Sequence, residues 1–251
     1  MMRTRTYSMK RVVAIATFVV ALILLTGTPA KVREITINED ARTSEEELKS
    51  SHPDVVPLPR PRKTGSLSVE EAISRRRSVR RFRDAPVLLA DVSQLLWAAQ
   101  GVTGEDGIKR AAPSAGAKYP IEIFVVAGKV DDLAAGAYRY IPKTHSLEMI
   151  RKGDLRSELC DEALSQECVR EAALDIVIAG VYSRTMEKYG DRGIRYVHIE
   201  VGAVAENIHL QAETLGLGTT FVGAFSDEGV KKILRIDAEP LGIMPVGVRQ
   251  Q

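Results

Sequence analysis

The apolar residues of this chain recur with two periods, and the elements follow from them. Ile121–Ala127 and residues 174–181 are unbroken apolar runs rich in β-branched side chains, as expected of strands covered on both faces. Between them, residues 137–141 and 146–150 read as a hairpin closed through Pro142, Lys143, Thr144 and His145, followed by a helix over residues 154–164. Ile194, Val197, Val201, Val204, Ala205, Ile208, Ala212 and Leu215 return every three or four positions. They lay one apolar face along a helix of about six turns that stops at Gly216. Residues 219–224 predict a strand, Asp227–Leu234 a capped helix and residues 241–248 a last strand. Nearer the start, Ser68 and Glu71 form a capping-box pattern that opens a helix running into Arg75, Arg76 and Arg77. Asp91 caps a second apolar helix over residues 92–99 that ends at a left-handed Gly101. The order lacks a strict βαβ rhythm, so the fold class is α+β, with a central mixed β-sheet flanked by helices.

The first 65 residues have a different pattern. Arg3, Arg5, Lys10 and Arg11 precede a charge-free apolar run over residues 12–25, and Thr28, Pro29 and Ala30 stand where a signal peptide would be cut. The run is shorter than the ~20 residues of a comfortable membrane span. Residues 1–30 therefore read as a signal peptide or an N-terminal membrane anchor, and in either case the positive flank directs the rest of the chain out of the cytoplasm. Residues 31–65 are polar and dotted with Pro53, Pro57, Pro59 and Pro61, a linker or an embracing arm. Residues 66–251 then form one catalytic domain, and a hydrophobic content of 45% suffices for its core.

Composition acts mainly by exclusion. The 35 basic and 33 acidic residues leave a net charge of +2, so no global field recruits nucleic acid. Cys160 and Cys168 would lie ~12 Å apart along a continuous helix and form no Cys-x-x-Cys metal motif. His198 and His209 fall three turns apart on the long helix, too far to share a metal. Glu200, Glu206 and Asn207 read as polar-face or subunit-contact groups on that helix. No dinucleotide-binding glycine fingerprint, Walker loop or nucleophile elbow occurs.

The stretch richest in chemistry is Arg76-Arg77-Ser78-Val79-Arg80-Arg81-Phe82, at the end of a helix. Guanidinium forks and a serine hydroxyl match the oxygens of a phosphate. The competing reading, a nucleic-acid or membrane patch, lacks the interleaved aromatics that stack on bases.

Three further pieces complete a pattern: Pro113-Ser114-Ala115-Gly116-Ala117-Lys118-Tyr119-Pro120 before a strand, Gly216-Leu217-Gly218-Thr219-Thr220-Phe221-Val222-Gly223-Ala224-Phe225 after the long helix, and Pro245-Val246-Gly247-Val248-Arg249 near the end. In this order, over residues 66–251, they resemble with the arginine segment the FMN-dependent nitroreductase superfamily, and the piece from Pro113 to Pro120 in particular resembles its SagB-type dehydrogenase branch, related to thiazole and oxazole oxidases. The resemblance implies a nitroreductase-like fold, homodimeric through the long helix. It implies that Arg76, Arg77, Ser78 and Arg80, with Arg249 at the same end, hold the FMN phosphate and ribityl chain. Pro113, Ser114 and Gly116 would reach the flavin of the other subunit, while Val222 and Gly223 bring an amide N–H toward the flavin N5 region. Lys118 and Tyr119 resemble a Lys-Tyr pair that removes a proton in azoline-oxidising relatives; as a residue type, a desolvated lysine can serve as a base.

The expected activity is hydride transfer between a small-molecule or peptide substrate and the flavin. An NAD(P)H-dependent nitro or quinone reductase and a non-catalytic flavin-binding module are the alternatives. No metal is implied, and the membrane is met only through the N-terminal segment.

Overall fold

The computed structural model describes residues 54–105 and 107–250. The expected export segment, residues 1–30, and the first part of the expected arm lie outside the described residues. In chain order the elements are β1 (Val55–Pro57), α1 (Val69–Arg75), β2 (Val87–Leu88), α2 (Leu89–Gln100), a 3-10 turn at Ala115–Ala117, β3 (Ile121–Ala127), β4 (Val130–Asp131), β5 (Gly136–Ile141), β6 (Ser146–Lys152), α3 (Arg156–Glu162), α4 (Glu167–Glu171), β7 (Leu174–Gly180), α5 (Tyr182–Tyr189), α6 (Arg192–Thr214), β8 (Leu217–Thr219), α7 (Asp227–Leu234) and β9 (Glu239–Val248).

Seven strands form one sheet in the order β1-β6-β5-β3-β7-β9-β8. Its pairings are antiparallel throughout, which corrects the expected mixed sheet while keeping the α+β class. The connections explain the correction. The strand pairs β3–β5 and β5–β6 are joined by short turns, and short turns join only antiparallel neighbours. Parallel pairing among the described residues is confined to the small β2–β4 ladder and one bridge, Ser78 to Thr219.

The unbroken apolar run of β3 follows from cover on both faces. Ile121, Ile123 and Val125 point into a core closed by α2 and α6, whereas Phe124 and Val126 point into a second core closed by α3, α4 and α7. The first core takes Leu95 and Leu96 of α2 with Val197, Val201, Val204 and Ile208 of α6; the second takes Leu159, Val169, Val230 and Ile233.

Several boundaries moved for local reasons. Order begins before residue 66: β1 pairs with β6, covering an otherwise open edge, and Leu58 N donates to His145 O at 3.1 Å. Helix α2 starts at Leu89, so Asp91 sits in its first turn rather than at its N-cap, and the chain leaves it extended at Gly101, with φ −63° instead of left-handed. The Ser68–Glu71 capping box closes as expected, with Glu71 N 3.1 Å from Ser68 Oγ. Among the described residues no helix is long and apolar enough to cross a membrane.

Candidate active site

Helix α1 delivers the arginine segment to one end of the sheet. After its cap at Arg76 the chain runs beside β8 and the end of β9: Val79 N donates to Thr219 O at 2.9 Å, Ser78 bridges Thr219, and Phe82 bridges Arg249. So close an approach requires glycine at 218, where a Cβ would stand 2.6 Å from Val79 Cγ1. Four segments thereby meet: the end of α1, β8, the loop after it and the end of β9.

Their polar groups are unevenly occupied. Arg76 is half-buried, Ser78 and Arg80 are exposed, and none of these arginines has an ion pair among the described residues. Arg77 turns back on its own helix, donating to Ser74 O at 3.0 Å and Arg76 O at 2.7 Å. Arg249 is differently employed. Its Nε donates to Leu217 O at 2.8 Å, and its two Nη atoms close on Glu213. Beside the free arginines, Thr219 Oγ1, Thr220 Oγ1 and His209 Nδ1 are buried without partners. Burial lowers the pKa of His209, Glu206 opposes the shift, and the nearby Arg76 adds to it. Unpaired guanidiniums beside orphaned hydroxyls present a set of donors that suits an oxygen-rich anion. Farther along, Val222 is tied to Ile243 by paired backbone bonds of 2.8 and 2.9 Å. Gly223 is exposed, and its N–H meets no acceptor among the described residues.

The loop carrying Pro113, Ser114 and Gly116 is anchored elsewhere on α6. Ala115 N donates to Glu200 Oε1 at 2.8 Å, and Tyr119 N to Ser114 Oγ at 2.8 Å. Burial raises the Glu200 carboxyl pKa, opposed by hydrogen bonds from Ala115 and Ser114. Glu200 and His209 stand nine residues apart on one helix, about 13 Å along its axis. Within a single chain the loop and the arginine segment are therefore held at separate stations on α6. The loop backbone is tight, with positive φ at Gly116 (61°), Ala117 (53°) and Tyr119 (47°). The last two cost about 1–2 kcal/mol each. At Gly116 a Cβ would also stand 2.7 Å from Tyr189 Oη.

Lys118 and Tyr119 sit on the wall of a cavity of about 460 Å³ at the other end of the sheet, between the end of α2, the start of β3, the end of β5 and α5. Lys118 is not a bare, desolvated amine: its Nζ lies 2.8 Å from Glu187 Oε2, and that carboxylate is 74% exposed. Tyr119 stacks under Arg110, whose guanidinium carbon is 4.6 Å from the ring centroid.

Glu200, expected only as a polar-face or subunit-contact group, holds the loop instead, and Arg110, Glu122 and Glu213 carry no signal in the sequence. Their partners lie 10 to 85 residues away, beyond any local pattern. Among the described residues no three His, Cys, Asp or Glu side chains come together as metal ligands.

The nitroreductase family model matches residues 73–248. A Methanocaldococcus jannaschii protein that carries the name nitroreductase is 46% identical over 181 residues, covering 72% of this chain and 91% of that protein. Microcin B17-processing protein McbC of Escherichia coli is 27% identical over 153 residues, 58% of this chain and 56% of McbC. Among solved structures, one from Ralstonia eutropha JMP134, also carrying the name nitroreductase, superposes with a TM-score of 0.70 at 31% identity, covering 79% of this chain and 90% of that one.

Proposed function

The chain belongs to the nitroreductase family, and from that premise we propose that it is an exported, FMN-dependent oxidoreductase of the SagB-type branch that oxidises a small molecule or a peptide. The observation that carries the cofactor reading is the coincidence, at one end of the sheet, of unpaired Arg76 and Arg80 with the partnerless hydroxyls of Thr219 and Thr220. These groups fit a phosphate and the polyol chain behind it. FMN, when bound, supplies a hydride acceptor and donor that no side chain offers.

The protein's own residues do the rest. Arg76, Ser78 and Arg80 would neutralise the phosphate, Arg77 holds the end of α1, and Arg249 braces β8 through Glu213 rather than reaching the anion. The free N–H of Gly223 is available to a ring acceptor. Glu200 fixes the loop of Pro113, Ser114 and Gly116. The separation of that loop from the arginine segment supports a site shared between two subunits, hence a homodimer. Lys118 and Tyr119 would work at the substrate edge, Lys118 accepting a proton once it has left Glu187 and released one to solvent. Export rests on the N-terminal charge pattern, and a domain outside the cytoplasm favours a donor other than NAD(P)H.

The 46% relative's name supports a second reading, reduction of a nitro compound, for which NAD(P)H would be the donor. Anaerobic mixing separates the two. The first expects bleaching of bound flavin by a small-molecule or peptide donor and no rapid bleaching by NADH or NADPH. Rapid bleaching by either nicotinamide alone would establish the second, and colourless protein after purification and FMN addition would overturn both.

A further inference from the structure

The cavity beside Lys118 and Tyr119 holds more positive charge than its own carboxylate neutralises. Arg110, Lys118, Arg139, Lys143 and Arg184 line it against Glu122 alone. Glu122 Oε1 already serves two of them, Arg139 Nη2 at 2.9 Å and Arg184 Nη2. Lys118 is turned to Glu187 outside the lining, and Arg110 and Lys143 have no ion pair among the described residues. Arg110 is half-buried, lies over the Tyr119 ring and donates from Nη1 to Gln100 Oε1 at 3.2 Å. That bond fixes which end of the Gln100 amide is oxygen. It leaves Gln100 Nε2, on a residue 1% exposed in the cavity lining, as a donor with no acceptor. Burial first, and then the charge of Arg184, hold the Arg110 pKa down, opposed by Tyr119, Tyr140 and Glu122. A desolvated guanidinium facing a second cation is costly until an anion joins it.

We propose that this cavity is a carboxylate-binding subsite, taking the acid group of a small organic acid or of a peptide C-terminus against Arg110 and Lys143. The walls between the cations are apolar, formed by Ile121, Ile141 and Pro142, which suits an anion carried on hydrocarbon better than a free, strongly hydrated phosphate. An acid group seated there brings its neighbouring carbons beside Lys118 and Tyr119. The inference rests on the proposed oxidoreductase reading only in making this ligand the substrate; the binding stands without it.

Calorimetric titration of the full chain, its flavin content measured in parallel, is the test. The probes are benzoate, N-acetylphenylalanine, its neutral amide and inorganic phosphate. Both carboxylates should bind, the amide at least about tenfold more weakly, with affinity falling as salt rises. Arg110→Gln should weaken the acids by about tenfold or more, and Lys143→Met, on an exposed turn, by less but measurably. Benzoate ahead of N-acetylphenylalanine would identify a small acid, and the reverse order a peptide terminus, both within the proposal. Equal binding of acid and amide, tighter binding of phosphate, or unchanged affinity in Lys143→Met would overturn it. A protein that takes up no flavin yet binds the acids would refute the oxidoreductase reading and leave this one standing.

Discussion

Arg249 is locked to Glu213, its two Nη atoms on the two carboxylate oxygens and its Nε on Leu217 O. The Glu213 side chain is 7% exposed and that of Arg249 30%, so the pair pins the end of α6, β8 and β9 together away from most water. Removing one partner of such a pair leaves a buried charge, a loss of roughly 2–4 kcal/mol once the partial exposure of Arg249 is discounted. Arg249→Met is expected to lower the thermal midpoint clearly and to weaken flavin retention only as a consequence. Adding Glu213→Gln should recover part of the stability. A normal midpoint with lost flavin would instead assign Arg249 directly to the anion.

The unpaired arginines should behave in the opposite way. Arg76→Ala with Arg80→Ala is expected to release FMN from a folded protein, since each charge-assisted contact contributes about 1.5–3 kcal/mol. The absorbance ratio after gel filtration reads the outcome directly. Stoichiometric flavin in the double variant would end the phosphate assignment.

The contrast between these arginines shows what the sequence could reveal. Strand β3 and helix α7 were legible because one strand covered on both faces and one well-capped amphipathic turn write their pattern locally. The arginine segment was legible as a candidate anion site, because its residue types carry the chemistry themselves. Its division of labour was not. Arg249 is braced by a residue 36 positions away and Lys118 is met by one 69 away, relationships created only when α5 and α6 pack. Helix α5 escaped notice because it is polar on most faces, with only Thr185 buried. The antiparallel sheet was likewise hidden, since strand composition reports burial and not direction.

Asp175 gives a prediction in pH. It lies fully buried on β7 with neither oxygen partnered, and desolvation raises its pKa well above the usual carboxylate range, only partly opposed by Arg156. An acid whose folded-state pKa exceeds its unfolded value contributes stability that is full below the unfolded pKa and is lost as pH rises through the folded one. Asp175→Asn should therefore unfold at a higher temperature than wild type at pH 7, by at least about 2–4 °C per kcal/mol recovered. The gap should close toward pH 4. A gap that widens on acidification would show that the carboxylate is ionised in the fold.

The proposed dimer is testable on α6. Ile199 is 62% exposed on that helix, where a second subunit would cover it. Ile199→Asp should shift the sedimenting species toward monomer at micromolar concentration and lower flavin content with it. A flavin-loaded monomer in the unmodified protein would contradict the shared site.

The last prediction concerns Lys118, whose ion pair with Glu187 decides when it can act. The ammonium beside Glu187 holds that carboxyl below its ordinary range, first by hydrogen bonding and then by charge. A carboxylate with a depressed folded-state pKa keeps its partner until the pH falls through that lowered value, so the pair persists throughout the neutral range. Lys118 must leave Glu187 and release a proton to solvent before it can accept one from substrate. Glu187→Gln should therefore leave flavin content unchanged and speed flavin bleaching at neutral pH, because Lys118 no longer has an ion pair to break before it meets substrate. Lys118→Met removes the acceptor at nearly constant volume, and the reductive half-reaction should slow by about 10²–10⁴. Steady-state turnover can conceal such a loss behind slow reoxidation, so bleaching by the donor is followed anaerobically across pH. Wild-type bleaching by Lys118→Met at full flavin occupancy would leave the pair with Glu187 as a surface contact between the loop and α5, and nothing more.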